Sequence, residues 1–466
     1  MTTIKLQSEE TELFPVYHGI PQGSPISPIL YLFYNEELVR ECNSIGYRAS
    51  AAGFMDDVNI LVWGPTTEGN CQTLQRLHNK CMTWAVRHGA TFAQKKYKLM
   101  HLTRHPKRFN MAACLQLDQH KIDPETQIKV LGVELDTKLR WGPHIGKVQE
   151  KITRQAMALH RITTSTWGAT FKRAKLVYTA VVRPAITYAA PIWFSPAGAE
   201  ATKNNLIDKL NKIQNRCLRT IAGAYKATPT PLLESETDIP PIRTHLAMLQ
   251  AQHQARTKNL PTRALVKKAC KRIQMQLQGQ RGRQRIRKTT PGNRKEAWFD
   301  SLGIDSTSRQ PVRIQIRKWA QEQWTKEWEE HRDKIPPDKR PTAYTNRMHP
   351  SIHDGLTKAE SSLAIQLRTE RTGLKAFLYD RKVPNVTATC TCGHPRQTVK
   401  HVMLYCLDRS DRTTFLGRSG LIDFHYILSN KDTLLKALRW FLRQGLLPQF
   451  QLALPVLTAI ENRIQG

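Results

Sequence analysis

Two adjacent aspartates inside an apolar stretch constrain this chain more than any other feature of its sequence. Asp56 and Asp57 follow Phe54-Met55 and precede the mostly apolar run 58–63. The pattern predicts two short strands within 48–63, with both carboxylates at the turn between them. Because two like charges in apolar surroundings repel each other, a cation is expected to share the site. Carboxylate oxygens favour Mg²⁺ or Mn²⁺, and two such ions about 3.5–4 Å apart are suited to phosphoryl transfer.

An isolated Asp-Asp pair is more often a plain surface turn, so the surrounding sequence decides between the two interpretations. A loop rich in Gly and Pro runs from Gly19 to Pro28, upstream of the pair. Pro28 stands where helices often begin, and the sequence predicts a helix over 28–43. The backbone N–H groups of such a loop, in front of a helix N-terminus, can bind a phosphate or a templating strand. Taken alone, the loop could also be an ordinary entry into a helix.

In the rest of the chain, the spacing of apolar residues predicts short strands followed by a long helical region. The first part contains a helix over 67–88, which Gly89 ends, and strand-like segments at 97–103, 112–117 and 127–135. The later helices are predicted at 144–166, 169–190, 204–223, 240–258, from 311 onward, within 355–380, and near 431–445 and 450–463. Trp319, Trp324 and Trp328 could stack on bases, but their spacing favours a role in anchoring the helix that begins near 311.

The charge balance points to a polyanionic partner. Lys and Arg number 71 against 38 Asp and Glu, a net charge of +33. Such an excess is typical of nucleic-acid binding, although a basic solvated surface without a specific partner is the alternative. The charge is concentrated in 251–300, and Gln278–Asn293 is interpreted as a basic linker.

Cysteine usage and apolar run lengths exclude two classes of protein. The nine Cys residues show no regular framework, which argues for a reducing compartment and against a secreted disulfide scaffold. The first residues are polar, unlike a signal peptide, and no apolar run approaches the roughly 18 residues of a membrane helix. We therefore expect a soluble intracellular protein with no membrane partner. The run from Arg281 to Lys288 could be a nuclear localisation signal or could bind phosphate.

The loop and the acidic pair together resemble a motif pair of reverse transcriptases, and two later segments extend the resemblance to those of non-LTR (LINE-like) retrotransposons. The Gln22–Pro28 loop matches their template- and nucleotide-positioning motif. Phe54-Met55-Asp56-Asp57 matches their aromatic-x-Asp-Asp motif, with Met55 where Ala or Val is commoner. Lys95–Leu99 resembles the next, lysine-bearing motif, where the family more often has Asn-x-x-Lys. The segment 128–136 is close to their primer-grip hairpin. Group II intron maturases share these motifs but do not account for a cysteine cluster near the C-terminus.

The resemblance implies an RNA-directed DNA polymerase, a nucleotidyltransferase that acts on an RNA template and a DNA primer or target, with a nuclear location. It implies catalysis and Mg²⁺ (or Mn²⁺) binding by Asp56 and Asp57. It implies template or nucleotide positioning by Gln22, Gly23, Ser24, Pro25 and Lys98, and a primer grip at Leu131 and Gly132. Nothing in the sequence fixes the oligomeric state.

The expected fold is α+β, a partial polymerase palm (antiparallel sheet with helices) followed by mostly helical regions. The palm is expected over 1–136, a helical thumb or connection over 137–258, a basic linker over 259–310 and a helical C-terminal region over 311–466. No segment resembles the Thr/Ser-Asp-Gly-Ser strand that opens the ribonuclease H domain of many relatives, and no endonuclease domain is recognised.

One family feature is missing. These polymerases use a third aspartate from an earlier palm strand, and no Asp precedes Asp56 in this sequence. We therefore expect a fragment truncated before that strand and catalytically incomplete, since preorganised charge supplies most of the catalysis. The alternative is a non-catalytic remnant that still binds RNA or DNA.

A cysteine and histidine cluster lies near the C-terminus, at 390–406. Cys390, Cys392, His401 and Cys406 have the spacing of a tetrahedral Zn²⁺ site, with a glycine closing the Cys-x-Cys turn. The segment also resembles the Cys-x-Cys-Gly knuckle near the end of many non-LTR proteins. Plain buried thiols are the alternative, and His394 is a second candidate for the histidine ligand.

Overall fold

The computed structural model describes residues 5–6, 9–10, 12, 19–20, 23–43, 48–103, 105–117, 120–196, 202–261, 291–305, 310–345, 347, 350–409, 412–416, 423–453 and 455. These residues fall into two compact units, Met1–His144 and Ile145–Gly466. Across the described residues, no helix combines the length and apolar character needed to cross a membrane.

The first unit combines two helices with antiparallel hairpins, which confirms the α+β class. Its helices are α1 (Ser27–Cys42) and α2 (Thr67–His88). Its strands are β1 (Lys5–Leu6), β2 (Glu9–Glu10), β3 (Ala49–Phe54), β4 (Asp57–Val62), β5 (Leu115–Leu117), β6 (His120–Ile122), β7 (Gln127–Val130) and β8 (Val133–Asp136). Each strand pairs only with its sequence neighbour within the described residues, so the sheets there are four separate hairpins. Short 3₁₀ turns occur at Gln94–Lys96 and Pro106–Arg108.

Local sequence explains the ends of the two helices. Pro28 lies in the first turn of α1, where its missing N–H group costs nothing. Thr66 caps α2 by accepting a hydrogen bond from the backbone N–H of Gly69, and Gly89 ends it with a φ of 63°. The helices α1 and α2 pack on the β3–β4 hairpin through a small core that includes Leu38, Ala51 and Trp84.

The predicted strand at 97–103 is wrong. Only Leu99 takes part in pairing there, through an isolated bridge to Pro124. The backbone N–H of Glu125 donates to the Leu99 carbonyl, and Lys98 forms an ion pair with the same Glu125. The backbone N–H of Thr103 also donates to the Thr137 carbonyl, so the segment is held by separate contacts instead of along a ladder.

The second unit is helical. It consists of α3 (Gly142–Ile162, which begins in the first unit), α4 (Phe171–Val177), α5 (Arg183–Ile186), α6 (Ala190–Trp193), α7 (Asn204–Ala222), α8 (Thr230–Thr237), α9 (Ile242–Asn259), α10 (Pro291–Asp300), α11 (Val312–Asp333), α12 (Thr342–Thr345), α13 (Lys358–Arg368), α14 (Lys375–Asp380), α15 (Thr413–Leu416), α16 (Phe424–Ile427) and α17 (Lys431–Arg443). A π-helical turn, Tyr178–Val182, joins α4 to α5, and a second one spans His401–Tyr405. Short 3₁₀ turns occur at Pro337–Lys339, Pro350–His353 and Pro448–Ala453.

The predicted domain boundaries of this region stay predictions. Nearly all of the segments 137–258 and 311–466 lies in the second unit. The helix α10 also lies inside the predicted linker 259–310, where Phe299 packs against Ala251 of α9 and Ile316 of α11. Residues 262–290 of that linker, including the run from Arg281 to Lys288, lie outside the described residues, as does most of the helix predicted at 450–463.

The tryptophans of α11 confirm the preference for a packing role. The side chains of Trp324 and Trp328 are buried, and Trp319 makes an edge-to-face contact with Trp298 of α10. All three therefore contribute to the packing of the second unit.

Candidate functional site

The acidic pair lies at the end of the β3–β4 hairpin, as the sequence predicts. Phe54 pairs with Asp57, which leaves Met55 and Asp56 as a two-residue turn. Met55 has a φ of 50°, in the left-handed region that favours glycine. A side chain kept in this region costs on the order of 1 kcal/mol, so the surrounding contacts must hold the turn in place.

The helix α1 provides that support from the side. The Nδ2 of Asn35 donates to the Met55 carbonyl over 3.2 Å, and the Asn35 side chain is only 7% exposed. Gly53 allows this close approach, because a Cβ there would lie 2.8 Å from Asn35 Nδ2 and 3.1 Å from Val39 Cγ2. The turn that carries the carboxylates is thus fixed to the middle of α1.

A second clamp joins the C-terminal end of α1 to β3. The side chain of Asn43 accepts from the backbone N–H of Ala51 over 3.0 Å and donates to the Ala51 carbonyl over 3.1 Å. It also donates to the Val39 carbonyl within its own helix. The amide therefore pairs with the strand as a neighbouring backbone would, and it sets the position of the hairpin along the helix.

Both carboxylates are exposed and available for a ligand. In the part of the chain that the structure describes, neither the Asp56 nor the Asp57 carboxylate forms an ion pair or accepts a hydrogen bond. Burial raises the pKa of Tyr31 on α1, and the nearby Asp56 carboxylate raises it further. Two free carboxylates at one turn suit a hard divalent cation that keeps several water or phosphate ligands, which is the habit of Mg²⁺.

The loop before α1 is only partly described. Gln22, one of the predicted positioning residues, lies outside the described residues. Gly23 has a φ of 92°, and Ser24 Oγ accepts from the backbone N–H of Ile26 over 3.3 Å. Pro25 occupies the turn that leads into α1. The loop and the acidic turn are linked through α1, with Tyr31 lying between the helix start and Asn35.

The other predicted residues have contacts of their own. Lys98 Nζ pairs with Glu125 Oε2 over 3.1 Å. Leu131 and Gly132 form the turn of the β7–β8 hairpin, with φ values of 47° and 83°. A two-residue turn with two positive φ angles matches the twist of antiparallel strands, so a hairpin at the predicted primer grip is confirmed, while its role stays a prediction.

The cysteine cluster forms a compact set of four ligand atoms. Those of Cys390, Cys392, His401 and Cys406 all lie within 4.8 Å of one another. The Sγ atoms of Cys390 and Cys406 are 3.6 Å apart, and Cys392 Sγ is 3.3 Å from His401 Nε2. With Zn–S bonds of about 2.3 Å, tetrahedral ligands are spaced by nearly these distances, and the cluster is compatible with zinc.

The surroundings of the cluster favour the same interpretation. Gly393 has a φ of 86° and closes the turn that carries Cys390 and Cys392. Gln397 Nε2 donates to Cys390 Sγ over 3.7 Å, a contact suited to a thiolate. The ring of His394 stacks on that of His401 at 4.0 Å between centroids but does not belong to the four-atom set.

Three supporting residues were missed at the sequence level, namely Tyr31, Asn35 and Asn43. A signal exists for Asn35, because an amide that directly follows an apolar helix stretch requires a hydrogen-bond partner once it is buried. The sequence does not say which partner that is, since Asn35 and Met55 are brought together only by the pairing of α1 with the hairpin.

Comparison with known proteins agrees with the geometry. The family model described as reverse transcriptase (RNA-dependent DNA polymerase) matches residues 1–135. The 115 kDa protein of the type-1 retrotransposable element R1DM from Drosophila melanogaster is 20% identical over 404 residues, which are 86% of this chain and 34% of that protein. The RNA-directed DNA polymerase of the mobile element jockey from Drosophila funebris is 20% identical over 246 residues, 52% of this chain and 26% of that protein.

The chain therefore spans about a third or less of the length of these two relatives. No solved structure matches it. The family match covers the loop, the acidic hairpin and nearly all of the β7–β8 hairpin. Residues 1–135 therefore match the reverse-transcriptase family, and the chain is similar to proteins of the R1 and jockey non-LTR retrotransposons.

Proposed function

We propose that this chain contributes the metal-binding hairpin of an RNA-directed DNA polymerase. The observation that carries the proposal is the pair of exposed carboxylates at a turn that α1 holds through Asn35 and Asn43. Asp56 and Asp57 would hold Mg²⁺ or Mn²⁺. When bound, such ions stabilise the attacking and leaving oxygens of a nucleotidyl transfer.

The remaining residues of the first unit would position nucleic acid around this hairpin. Gly23, Ser24 and Pro25, with Gln22, would contact the template or the incoming nucleotide. The charge of Lys98 would be shared between Glu125 and a phosphate, and the exposed turn at Leu131 and Gly132 would support the primer. The RNA template and the DNA primer or target are therefore the proposed partners.

Two carboxylates alone make an incomplete polymerase site. No Asp precedes Asp56 in the sequence, so residues 1–55 do not supply the third aspartate used by the family. We expect the 466-residue polypeptide by itself to extend primers very weakly, because each lost metal ligand removes preorganised charge from the transition state.

Primer extension tests this function. The purified chain would be given an annealed DNA primer and RNA template with Mg²⁺ or Mn²⁺. Any extension should disappear in Asp56→Asn/Asp57→Asn and persist in the charge-matched control Glu36→Gln/Asp123→Asn, which removes two exposed carboxylates elsewhere in the first unit. Extension that survives the first variant would show that the acidic hairpin is not the reaction site.

The second candidate function is binding of RNA or DNA without turnover. The net charge of +33 favours it independently of the acidic hairpin. Such binding should weaken steeply with salt, since each phosphate contact releases counterions. An affinity for single-stranded RNA that stays constant between about 50 and 200 mM salt would contradict it.

We further propose that Cys390, Cys392, His401 and Cys406 bind a single Zn²⁺ ion. The four ligand atoms are already gathered, and thiolate with imidazole is the ligand combination that structural zinc prefers. The ion would fix the Cys-x-Cys turn to the π-helical turn that begins at His401.

A further inference from the structure

An open cavity of about 710 Å³ lies in the second unit, beside the C-terminal half of α7. Its walls come from α7 and the loop that follows it, from the end of α3, from α13 and from the 3₁₀ turn near the C-terminus. A volume of this size is within the range of about 300–1,000 Å³ that small-molecule sites occupy. The cavity is separate from the acidic hairpin and from the cysteine cluster, and neither contributes a residue to it.

The walls carry positive charge without acidic residues. Arg216, Arg219 and Lys226 line the cavity together with His160, and no Asp or Glu is among the lining residues. Arg219 is partly buried, and burial lowers the pKa of its guanidinium. A recess with charge of one sign concentrates its field and attracts counterions.

The carbonyl groups at the C-terminal end of α7 already have hydrogen-bond partners, so they do not compete with a ligand for the cationic side chains. Lys358 Nζ donates to the carbonyls of Thr220 and Ile221, over 3.2 and 2.5 Å. Gln366 Nε2 donates to the carbonyl of Gly223 over 2.7 Å. These contacts satisfy carbonyls in the last turn of the helix from the side of α13, so Arg216 and Lys226 are not needed there and can contact a ligand.

Two buried polar atoms at the cavity lack partners within the described residues. Arg219 Nε donates to no acceptor, although Arg219 Nη2 reaches the carbonyl of Thr228 at 3.4 Å. The Oε1 of Gln366, a side chain only 2% exposed, accepts no hydrogen bond. A buried polar atom without a hydrogen-bond partner destabilises the folded protein, so a ligand with both an acceptor and a donor would stabilise the site.

An aromatic ring completes one wall. The hydroxyl of Tyr225 accepts from Gln449 Nε2 over 3.0 Å, and its ring packs at a tilt against Phe377 with 5.5 Å between centroids. The ring is thereby held in place and offers a surface on which a planar base can stack.

We propose that this cavity binds one phosphate and the adjoining base of a single-stranded nucleic acid. Arg216, Arg219 and Lys226 would hold the phosphate, Tyr225 would stack on the base, and Gln366 Oε1 would accept from a base N–H group. The inference rests on the proposed function, in which the chain works on nucleic acid, and adds a second point of contact in the second unit.

Fluorescence anisotropy with a labelled oligothymidylate of about 15 nucleotides tests the site directly. The variant Arg216→Ala/Lys226→Ala removes two cations whose side chains form no described hydrogen bond, so the fold should be unaffected. The control Arg313→Ala/Lys326→Ala removes two exposed cations of α11 that do not line the cavity. We expect a loss of affinity of about tenfold in the first variant and less than twofold in the control. The slope of log affinity against log salt concentration should become shallower by about 1–2 in the first variant only.

Tyr225 provides an independent readout. Tyr225→Phe keeps the ring and should bind as the wild type does, whereas Tyr225→Ala should weaken binding several-fold. Equal losses in the two double variants would overturn the proposal, because only the total surface charge would then matter. Complete competition by millimolar inorganic phosphate, with no effect of Tyr225→Ala, would show a free-anion site and would also overturn it. Absence of oligonucleotide binding in the wild type would instead refute the proposed nucleic-acid function.

Discussion

Gly53 shows at the scale of a single residue how the acidic turn is held. The backbone of β3 passes so close to α1 that a methyl group at Gly53 would contact Asn35 Nδ2 at 2.8 Å. The hydrogen bond from Asn35 to Met55 depends on this approach. A glycine at this position is therefore needed for packing and not for an unusual backbone angle.

We expect Gly53→Ala to destabilise the first unit by about 1–3 kcal/mol, because overpacking forces the helix and strand apart. Gly146→Ala is the matched control. Its Cβ would meet nothing within 4 Å and it lies within α3, where alanine is preferred over glycine. Thermal unfolding followed by circular dichroism measures both changes. Equal midpoints for Gly53→Ala and the wild type would contradict the described contact.

The buried side chain of His353 makes the stability of the folded protein depend on pH. Its ring stacks on Phe171 with 3.8 Å between centroids, and burial, assisted by the nearby cations Lys358 and Arg368, lowers the pKa of His353 to about 3. The unfolded chain takes up this proton near pH 6.5, whereas the folded chain resists it until about pH 3. The folded state thus binds fewer protons in this window, and its stability falls as the pH decreases.

Urea unfolding should show that the free energy of unfolding decreases between pH 7 and pH 4.5. The variant His353→Phe keeps a ring that can stack on Phe171 and should show a smaller decrease. The free energy of unfolding should depend less steeply on pH in His353→Phe than in the wild type. The two slopes should differ by up to about 1.4 kcal/mol per pH unit. His245, whose pKa burial lowers to about 4, should maintain a residual slope in the variant. Parallel curves for the variant and the wild type would show that His353 does not titrate on unfolding.

At the scale of elements, the sequence predicts those helices and strands that are marked by the spacing of apolar residues and by Pro or Gly at their ends. The β3–β4 hairpin and the helices α1, α2 and α7 follow from apolar spacing together with Pro and Gly at their ends. The helix α8 was missed because Pro229 and Pro231 suggest a loop, although proline is also favoured in the first turn of a helix. The segment 97–103 has the composition of a strand but lacks a partner strand, which the sequence cannot reveal.

Spacing in the sequence predicts the four candidate zinc ligands Cys390, Cys392, His401 and Cys406, whose ligand atoms lie together in the structure. Protein purified without a chelator should contain a single zinc ion, and Cys392→Ser should lose most of it because thiolate ligands dominate the affinity. Cys114→Ser, which removes a thiol outside the cluster, is the control. Zinc content by mass spectrometry decides the matter. Metal-free wild-type protein, or full zinc content in Cys392→Ser, would exclude this site.

At the scale of the molecule, a buried ion pair joins regions that are distant in sequence. Arg368 of α13 and Glu236 of α8 are both fully buried, and the Nε and Nη2 atoms of Arg368 donate to the Glu236 carboxylate at 2.9–3.1 Å. The Nη1 atom donates to the carbonyl of Leu428. Such a pairing could not be predicted from the sequence, because no local pattern relates α8 to α13. It helps to explain why α8 and α13 lie in one compact unit.

Arg368→Met should destabilise the second unit by about 3–5 kcal/mol, since it leaves the Glu236 carboxylate buried without its partner. The exposed pair of Arg396 and Asp380 provides the control, and Arg396→Met should cost at most about 1 kcal/mol. Denaturant unfolding compares the two variants. Similar small losses in both would show that the α8–α13 contact is not important for stability.

Direct Mn²⁺ binding tests, without requiring turnover, whether the acidic turn at Asp56 and Asp57 holds a divalent metal. Electron paramagnetic resonance would measure free and bound Mn²⁺ in zinc-loaded protein, for the wild type, Asp56→Asn/Asp57→Asn and the control Glu36→Gln/Asp123→Asn. We expect Mn²⁺ binding in the wild type and the control and its loss in the Asp56/Asp57 variant. Unchanged Mn²⁺ binding in Asp56→Asn/Asp57→Asn would contradict the claim.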